Sequence, residues 1–259
     1  MPALFSGIVR YVLGLGRINL NPPSIELIRS QEKFTCSDGF SMKAYLSRPN
    51  TLKRFPGLLF IYEIFGMNEE MTRIADELAA EGYAVILPDL FSRGSWFSCV
   101  RKIMTDLKAG GGQGVQDLIE ARNWLSQQPY VDSERIAVMG LCMGGGFALL
   151  LGRTGLFRVS APFYGQTPAA LDGICPVVAS YGARDSWLLK DAERLKKELV
   201  TRGVPYDLKI YDDAGHSFMN RPANWFVKFA GNATKKAGYN PDAAADAKKR
   251  LITFLRTHL

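Results

Sequence analysis

Six short apolar runs recur along the chain with helix-length segments between most of them, and this alternation limits the possible folds more than any other feature. The runs are Gly57–Tyr62, Ala84–Pro88, Ile136–Met139, Val159–Phe163, Val177–Tyr181 and Tyr206–Tyr211. Between them lie Glu69–Glu81, Val115–Gln128, Gly144–Leu151 and Lys190–Thr201, each long enough for a helix. Runs that are apolar throughout suit strands buried on both faces, and the helical segments supply the crossovers that parallel strands need. The pattern predicts an α/β fold with a mainly parallel sheet flanked by helices. Ahead of it, Ile25–Leu46 alternates loosely around Ser37-Asp38-Gly39, which predicts an antiparallel hairpin. Behind it, Asn240 as N-cap, Pro241 at the first helical position and Asp242 in the first turn open a last helix. Ala244, Ala247, Leu251, Phe254 and Leu255 form its expected apolar stripe.

A chain of 259 residues without an internal repeat or a composition shift suits one domain, taken here as residues 25–259, with residues 1–24 as an extension. Its 47% hydrophobic and 22% charged residues exclude disordered, collagen-like and coiled-coil classes. The net charge of +7 favours anionic substrates without specifying a partner. Lys196-Lys197 and Lys248-Lys249-Arg250 fall at helical spacing with no aromatic platform, so they read as solvated helix faces and no nucleic-acid partner is expected. No uninterrupted apolar run reaches the ~18 residues of a membrane span. The four cysteines, Cys36, Cys99, Cys142 and Cys175, show no C-x-x-C spacing and make no disulfide framework, which favours a reduced, cytoplasmic protein. With only His216 and His258 available, a histidine metal centre is not expected, and no cofactor is required. Within Met1–Leu20, Leu4, Ile8, Tyr11, Val12 and Leu15 share a helical face opposite Arg10 and Arg17. Three placements stay open for it: docking on its own domain or a second copy, contact with a membrane surface, or disorder. Monomer and homodimer both fit.

The chemistry is carried by one junction. Ile136–Met139 runs straight into Gly140-Leu-Cys142-Met-Gly144-Gly145-Gly146 and then into the apolar segment Phe147–Leu151. This is the G-x-nucleophile-x-G pattern of a sharp strand-to-helix turn, with cysteine as nucleophile. The flanking glycines leave room for neighbouring backbone, and the helix N-terminus favours thiolate over thiol. The bland alternative is a glycine-rich turn around a structural cysteine. A dinucleotide loop fits less well, because the G-x-G-x-x-G pattern fails at its second glycine. Gly110-Gly-Gly-Gln-Gly114 likewise lacks the Gly-Lys-Ser/Thr ending of a phosphate loop and reads as a connector.

A nucleophile needs a base. His216 follows the run ending at Tyr211, where a loop can face the elbow, and Asp185 follows the run ending at Tyr181. An acid between nucleophile and histidine fits the chain order of such hydrolases and would fix the imidazole tautomer. Asp172, Asp191, Asp207, Asp212 and Asp213 compete from poorer positions. The two long connections, residues 89–114 and 217–239, leave strand ends and are rich in aromatics, including Trp96, Phe97, Phe218, Trp225, Phe226 and Phe229. They are the candidate walls of a substrate site.

Taken together, Glu63-Ile-Phe-Gly-Met-Asn68, Pro88-Asp-Leu-Phe91, Gly140-Leu-Cys142-Met-Gly-Gly145, the Asp185 and His216 loops and Tyr239-Asn-Pro-Asp-Ala243 resemble the dienelactone hydrolase, or carboxymethylenebutenolidase, family of α/β-hydrolases. The resemblance spans Ile25 to Leu259. It implies a Cys142-His216-Asp185 triad, with Glu63 touching the resting thiol and giving way to substrate. It also implies an oxyanion hole made by the backbone N–H groups of Ile64 and Met143. The family's anionic lactone is held by two arginines. Arg93 matches the first, and Asn220 stands at the place of the second, with Arg221 next to it. The expected activity is hydrolysis of a small ester or lactone through a thioester. A peptidase on this fold would need a gating domain that a chain of this length lacks. The non-enzymatic alternative is a thiol sensor or binding module that keeps the elbow.

Overall fold

The computed structural model describes residues 25–221 and 237–259, and eight strands there join one sheet in the order β1-β2-β4-β3-β5-β6-β7-β8. The strands are β1 (Leu27–Thr35), β2 (Ser41–Pro49), β3 (Phe55–Ile61), β4 (Ala84–Pro88), β5 (Val131–Leu141), β6 (Val159–Phe163), β7 (Val177–Gly182) and β8 (Tyr206–Tyr211). β1 and β2 form the antiparallel hairpin that the alternation predicts. Its turn contains Gly39 at φ 82°, a left-handed position open to glycine at no steric cost. β2 is antiparallel to β4, and every later pairing is parallel. Every residue of β4, β6 and β7 is buried, which explains why these segments are apolar without alternation. β5 starts five residues before the expected Ile136, because Val131 and Asp132 pair with Phe55 and Pro56 before a shift in register at Gly57.

Six helices accompany the strands in the described residues: α1 (Glu69–Ala80), α2 (Trp96–Ala109), α3 (Gln113–Ser126), α4 (Met143–Gly152), α5 (Leu189–Arg202) and α6 (Pro241–His258). Asn68 caps α1 by accepting from Glu70 and Met71 N–H at 3.0 and 3.1 Å. The start of α6 is capped as expected, with Asn240 accepting from Ala243 N–H at 3.1 Å. Its buried stripe takes Ile252 where Phe254 was expected, leaving Phe254 half-buried. α4 has no exposed side at all, lying under α2 and α3 against β5 and β6.

The segment 89–114 is not the open connection expected of it. Most of it is α2, capped by Ser95, ended by Gly110 at φ 72° and buried along Cys99, Ile103 and Leu107. The i, i+4, i+8 spacing of those three residues was the available signal, masked by the glycines on either side. Met1–Leu20, Trp225, Phe226 and Phe229 lie outside the described residues. No helix among the described residues is long and apolar enough to cross a membrane.

Candidate active site

The site assembles where parallel strands end. Glu63 lies just past β3, Cys142 directly past β5, Tyr164 directly past β6, Asp185 just past β7 and His216 in the loop after β8. This is the edge of a parallel sheet at which the connections can converge on a ligand.

Cys142 occupies the turn between β5 and α4 with φ 55° and ψ −115°, a conformation that L-residues rarely adopt. Its N–H is held by the Phe163 carbonyl at 3.0 Å, and its own carbonyl accepts from Gly145 N–H at 2.9 Å. The turn is this tight only because its flanks are glycine. A Cβ on Gly140 would overlap the Gly144 carbonyl, and one on Gly144 would overlap the Ile61 carbonyl. Three non-glycine residues in the described chain have positive φ, namely Cys142, Tyr164 and Ser217, and all three stand at this site. Such strain persists only where the surrounding fold enforces it.

The side chains form a continuous line. Cys142 Sγ lies 3.1 Å from His216 Nε2, and His216 Nδ1 lies 2.6 Å from Asp185 Oδ2. Asp185 is buried, and its second oxygen accepts from Trp187 N–H at 3.1 Å, so its orientation is fixed. Gly238 N–H donates to the His216 carbonyl and Asn240 N–H to that of Phe218, tying the histidine loop to the entry of α6. Burial opposes the imidazolium, but the contacts with Asp185 and Cys142 outweigh it and raise the His216 pKa from 6.5 to about 10. A raised pKa in the folded state adds stability that is complete below the unfolded value near 6.5 and lost as pH climbs toward about 10. The stability difference between wild type and His216→Gln, measured by denaturant unfolding, is therefore expected to shrink steadily from pH 6 to pH 10. A difference that stays flat or grows over that range would contradict the assigned charge coupling.

Glu63 is buried, and it accepts from the Ser217 hydroxyl at 3.0 Å rather than from the thiol. The expected resting contact between Glu63 and Cys142 is thus not the one seen here: the thiol is paired with His216. Burial pushes the Glu63 carboxyl above its ordinary range, while Ser217, His216 and Asn220 pull it back. Among the described residues, neither the buried Tyr164 hydroxyl nor the Asn220 Oδ1 has a hydrogen-bond partner. The Tyr164 ring packs at 5.1 Å from His216 and 5.3 Å from Phe218. The Ile64 and Met143 N–H groups make no backbone hydrogen bond in the described structure, and Trp96 Nε1 donates to the Ile64 carbonyl at 3.1 Å.

Two expectations are corrected. Arg93 does not offer a free cation to a substrate carboxylate: it makes two 2.7 Å bonds to buried Asp117, reaches Asp38 at 2.7 Å and stacks on Phe40. Phe218 is not a substrate wall, because the left-handed backbone at Ser217 turns its ring into the core against Tyr164 and Tyr211. Arg221 faces α1, where its N–H reaches Glu70 at 2.7 Å and its guanidinium lies 3.8 Å from Glu77. Tyr164, Ser217 and Trp187 were not identified from the sequence. Trp187 had a signal, lying two residues past the candidate acid, whereas positive φ at Tyr164 and Ser217 left none. No cluster of three or more metal-ligating side chains is found among the described residues.

The fold and this strand-end site define an α/β-hydrolase. The dienelactone hydrolase family model matches residues 42–259, and the chain belongs to that family. A candidate 2-oxo-3-(5-oxofuran-2-ylidene)propanoate lactonase of a Bradyrhizobium species is 29% identical over 86% of this chain and 92% of its own. A candidate carboxymethylenebutenolidase of Saccharolobus solfataricus is 27% identical over 87% of this chain and 98% of its own. A candidate dienelactone hydrolase from Klebsiella pneumoniae superposes with a TM-score of 0.72 at 23% identity, covering 89% of this chain and 99% of its own. A dienelactone hydrolase-like promiscuous phosphotriesterase from metagenomic libraries has the same fold, with a TM-score of 0.76 at 20% identity over 90% and 98% of the two chains. Family membership makes this chain an ester or lactone hydrolase.

Proposed function

We propose that the chain hydrolyses a small ester or lactone through a thioester on Cys142, with His216 as acid and base and Asp185 as its orienting carboxylate. The reading rests above all on the unbroken line from Sγ to Nε2 and from Nδ1 to Oδ2 at the strand ends. Sγ attacks the carbonyl carbon with its proton already carried by His216, whose raised pKa keeps it as the imidazolium at neutral pH. The tetrahedral oxyanion is received by the N–H groups of Ile64 and Met143, neither of which makes a backbone hydrogen bond among the described residues. Collapse breaks the ester C–O bond, and His216 passes its proton to the departing alkoxide. Water then attacks the thioester, His216 takes a proton from it, and the C–S bond breaks to release the acid and restore the thiolate.

The high imidazolium pKa suits this cycle. Two of the influences that raise it come from Cys142. Once its proton has gone to the alkoxide, His216 is a neutral imidazole that can accept one from water.

Glu63 tempers the thiol in this reading once its carboxylate turns from Ser217 toward Sγ, where it would disfavour a second negative charge. Glu63→Gln is expected to speed alkylation by iodoacetamide several-fold and to slow turnover. Unchanged rates of both would remove Glu63 from the mechanism. The hydrolase reading itself is tested with p-nitrophenyl acetate, for which wild type is expected to show turnover that one equivalent of alkylated thiol abolishes.

A further inference from the structure

We infer that this site takes uncharged esters bearing an aromatic or bulky apolar group, in preference to carboxylate-bearing ones. The inference rests on the hydrolase reading above and assigns its substrate class. Two observations carry it.

The first is the side chains presented at the mouth. Phe65, which follows the oxyanion-hole candidate Ile64, is 72% exposed. Trp96 reaches back to the Ile64 carbonyl, and its ring meets that of the largely exposed Phe97 at 4.9 Å. On the opposite loop, Trp187 is 70% exposed with its ring 5.8 Å from that of His216. Few large apolar side chains in the described chain are this exposed: Phe65 lies on the loop of Ile64, Trp96 and Phe97 open α2 against that loop, and Trp187 lies on the loop of Asp185. Aromatic surface left in water around a reacting centre gains free energy when an apolar group covers it.

The second is the state of the cations. Three arginines flank residues expected at the site, Arg93 ahead of Trp96, Arg184 beside Asp185 and Arg221 beside Asn220, and each already faces a carboxylate. Arg93 is held by Asp117 and Asp38, Arg184 by Asp213, and Arg221 lies near Glu70 and Glu77. Asn220, an amide, stands beside the buried carboxyl of Glu63. An anionic substrate entering here would lose hydration next to a carboxyl group and meet no unpaired arginine among these three. Burying a charge without a partner is costly, so the arrangement selects against it.

The test compares kcat/KM for benzyl acetate and methyl acetate, whose alcohols are nearly equal as leaving groups, and for benzyl hydrogen succinate and its methyl ester. Benzyl acetate is expected to exceed methyl acetate by about tenfold or more, the scale set by one apolar group in a pocket. The carboxylate-bearing succinate is expected to be turned over more slowly than its methyl ester. Phe65→Ala and Trp187→Ala should each lower the benzyl-to-methyl ratio; Phe65 is too exposed for its loss to unfold the chain. A tenfold preference for the free carboxylate, or a benzyl-to-methyl ratio near one, would overturn the inference while leaving the hydrolase reading intact. A ratio unmoved in both variants would overturn it in the same way. Turnover of none of the four esters, nor of p-nitrophenyl acetate, would overturn both.

Discussion

Replacing Cys142 with alanine is expected to lower kcat/KM for p-nitrophenyl acetate by at least about 10³-fold, because no other group can form the covalent intermediate. The site offers no second nucleophile in that position. Cys36 and Cys99 are buried elsewhere, and burial pushes the Cys175 thiol up to about 12, where it is inert at neutral pH. Changing any of these three to alanine should leave the rate near wild type. The Cys142→Ala protein should stay folded, losing only the share of stability that the Cys142 contact gives His216, since the side chain is only half-buried and its hydrogen-bond partner among the described residues is His216. Intact folding with lost turnover separates a chemical role from a structural one. Retention of more than a trace of activity would remove Cys142 from the mechanism.

The second large effect is on stability. Gly144→Ala is expected to cost at least about 3 kcal/mol, because the new methyl would overlap the Ile61 and Tyr62 carbonyl oxygens, and backbone cannot move aside as a side chain can. At roughly 2–4 °C per kcal/mol for a chain of this size, the melting temperature should fall by about 6 °C or more. Gly155→Ala is the internal comparison: it sits at positive φ but its Cβ would meet nothing, so only backbone strain is added. If Gly144→Ala melted within about 2 °C of wild type, the close approach of α4 to the end of β3 would be wrong.

These two variants also mark what the sequence made legible. The elbow could be read because its requirements are local: an apolar strand, a nucleophile and glycines at fixed offsets, then an apolar helix. The histidine and acid could be read because both follow strand-like runs, and the parallel sheet brings the ends of β5, β7 and β8 to one edge. Arg93 shows where local reading stops. Its partners lie 24 and 55 residues away, and nothing near it in the chain announces that Asp117 and Asp38 have already claimed its donors. Phe218 fails for a related reason, since its direction depends on a left-handed serine that propensity does not anticipate. α2 was missed because Gly94 and Gly110-Gly-Gly112 read as an open loop, although they lie at the helix boundaries.

The Arg93 finding changes the picture of specificity more than that of the chemistry. An arginine clamped between two carboxylates fixes the loop after β4 against α3 and the hairpin turn, which is a structural task. The line from Asp185 through His216 to Cys142 is independent of it. The proposed hydrolysis therefore does not depend on a carboxylate in the ester.

The most direct measurement is acid quenching of the enzyme during steady-state turnover of p-nitrophenyl acetate, followed by peptide mass mapping. The account predicts one acetyl group per chain, on the peptide carrying Cys142, labile to hydroxylamine as a thioester is, and absent from Cys142→Ala. Acetylation of a different residue, or continued turnover with the Cys142 peptide never labelled in either wild type or His216→Gln, would contradict it.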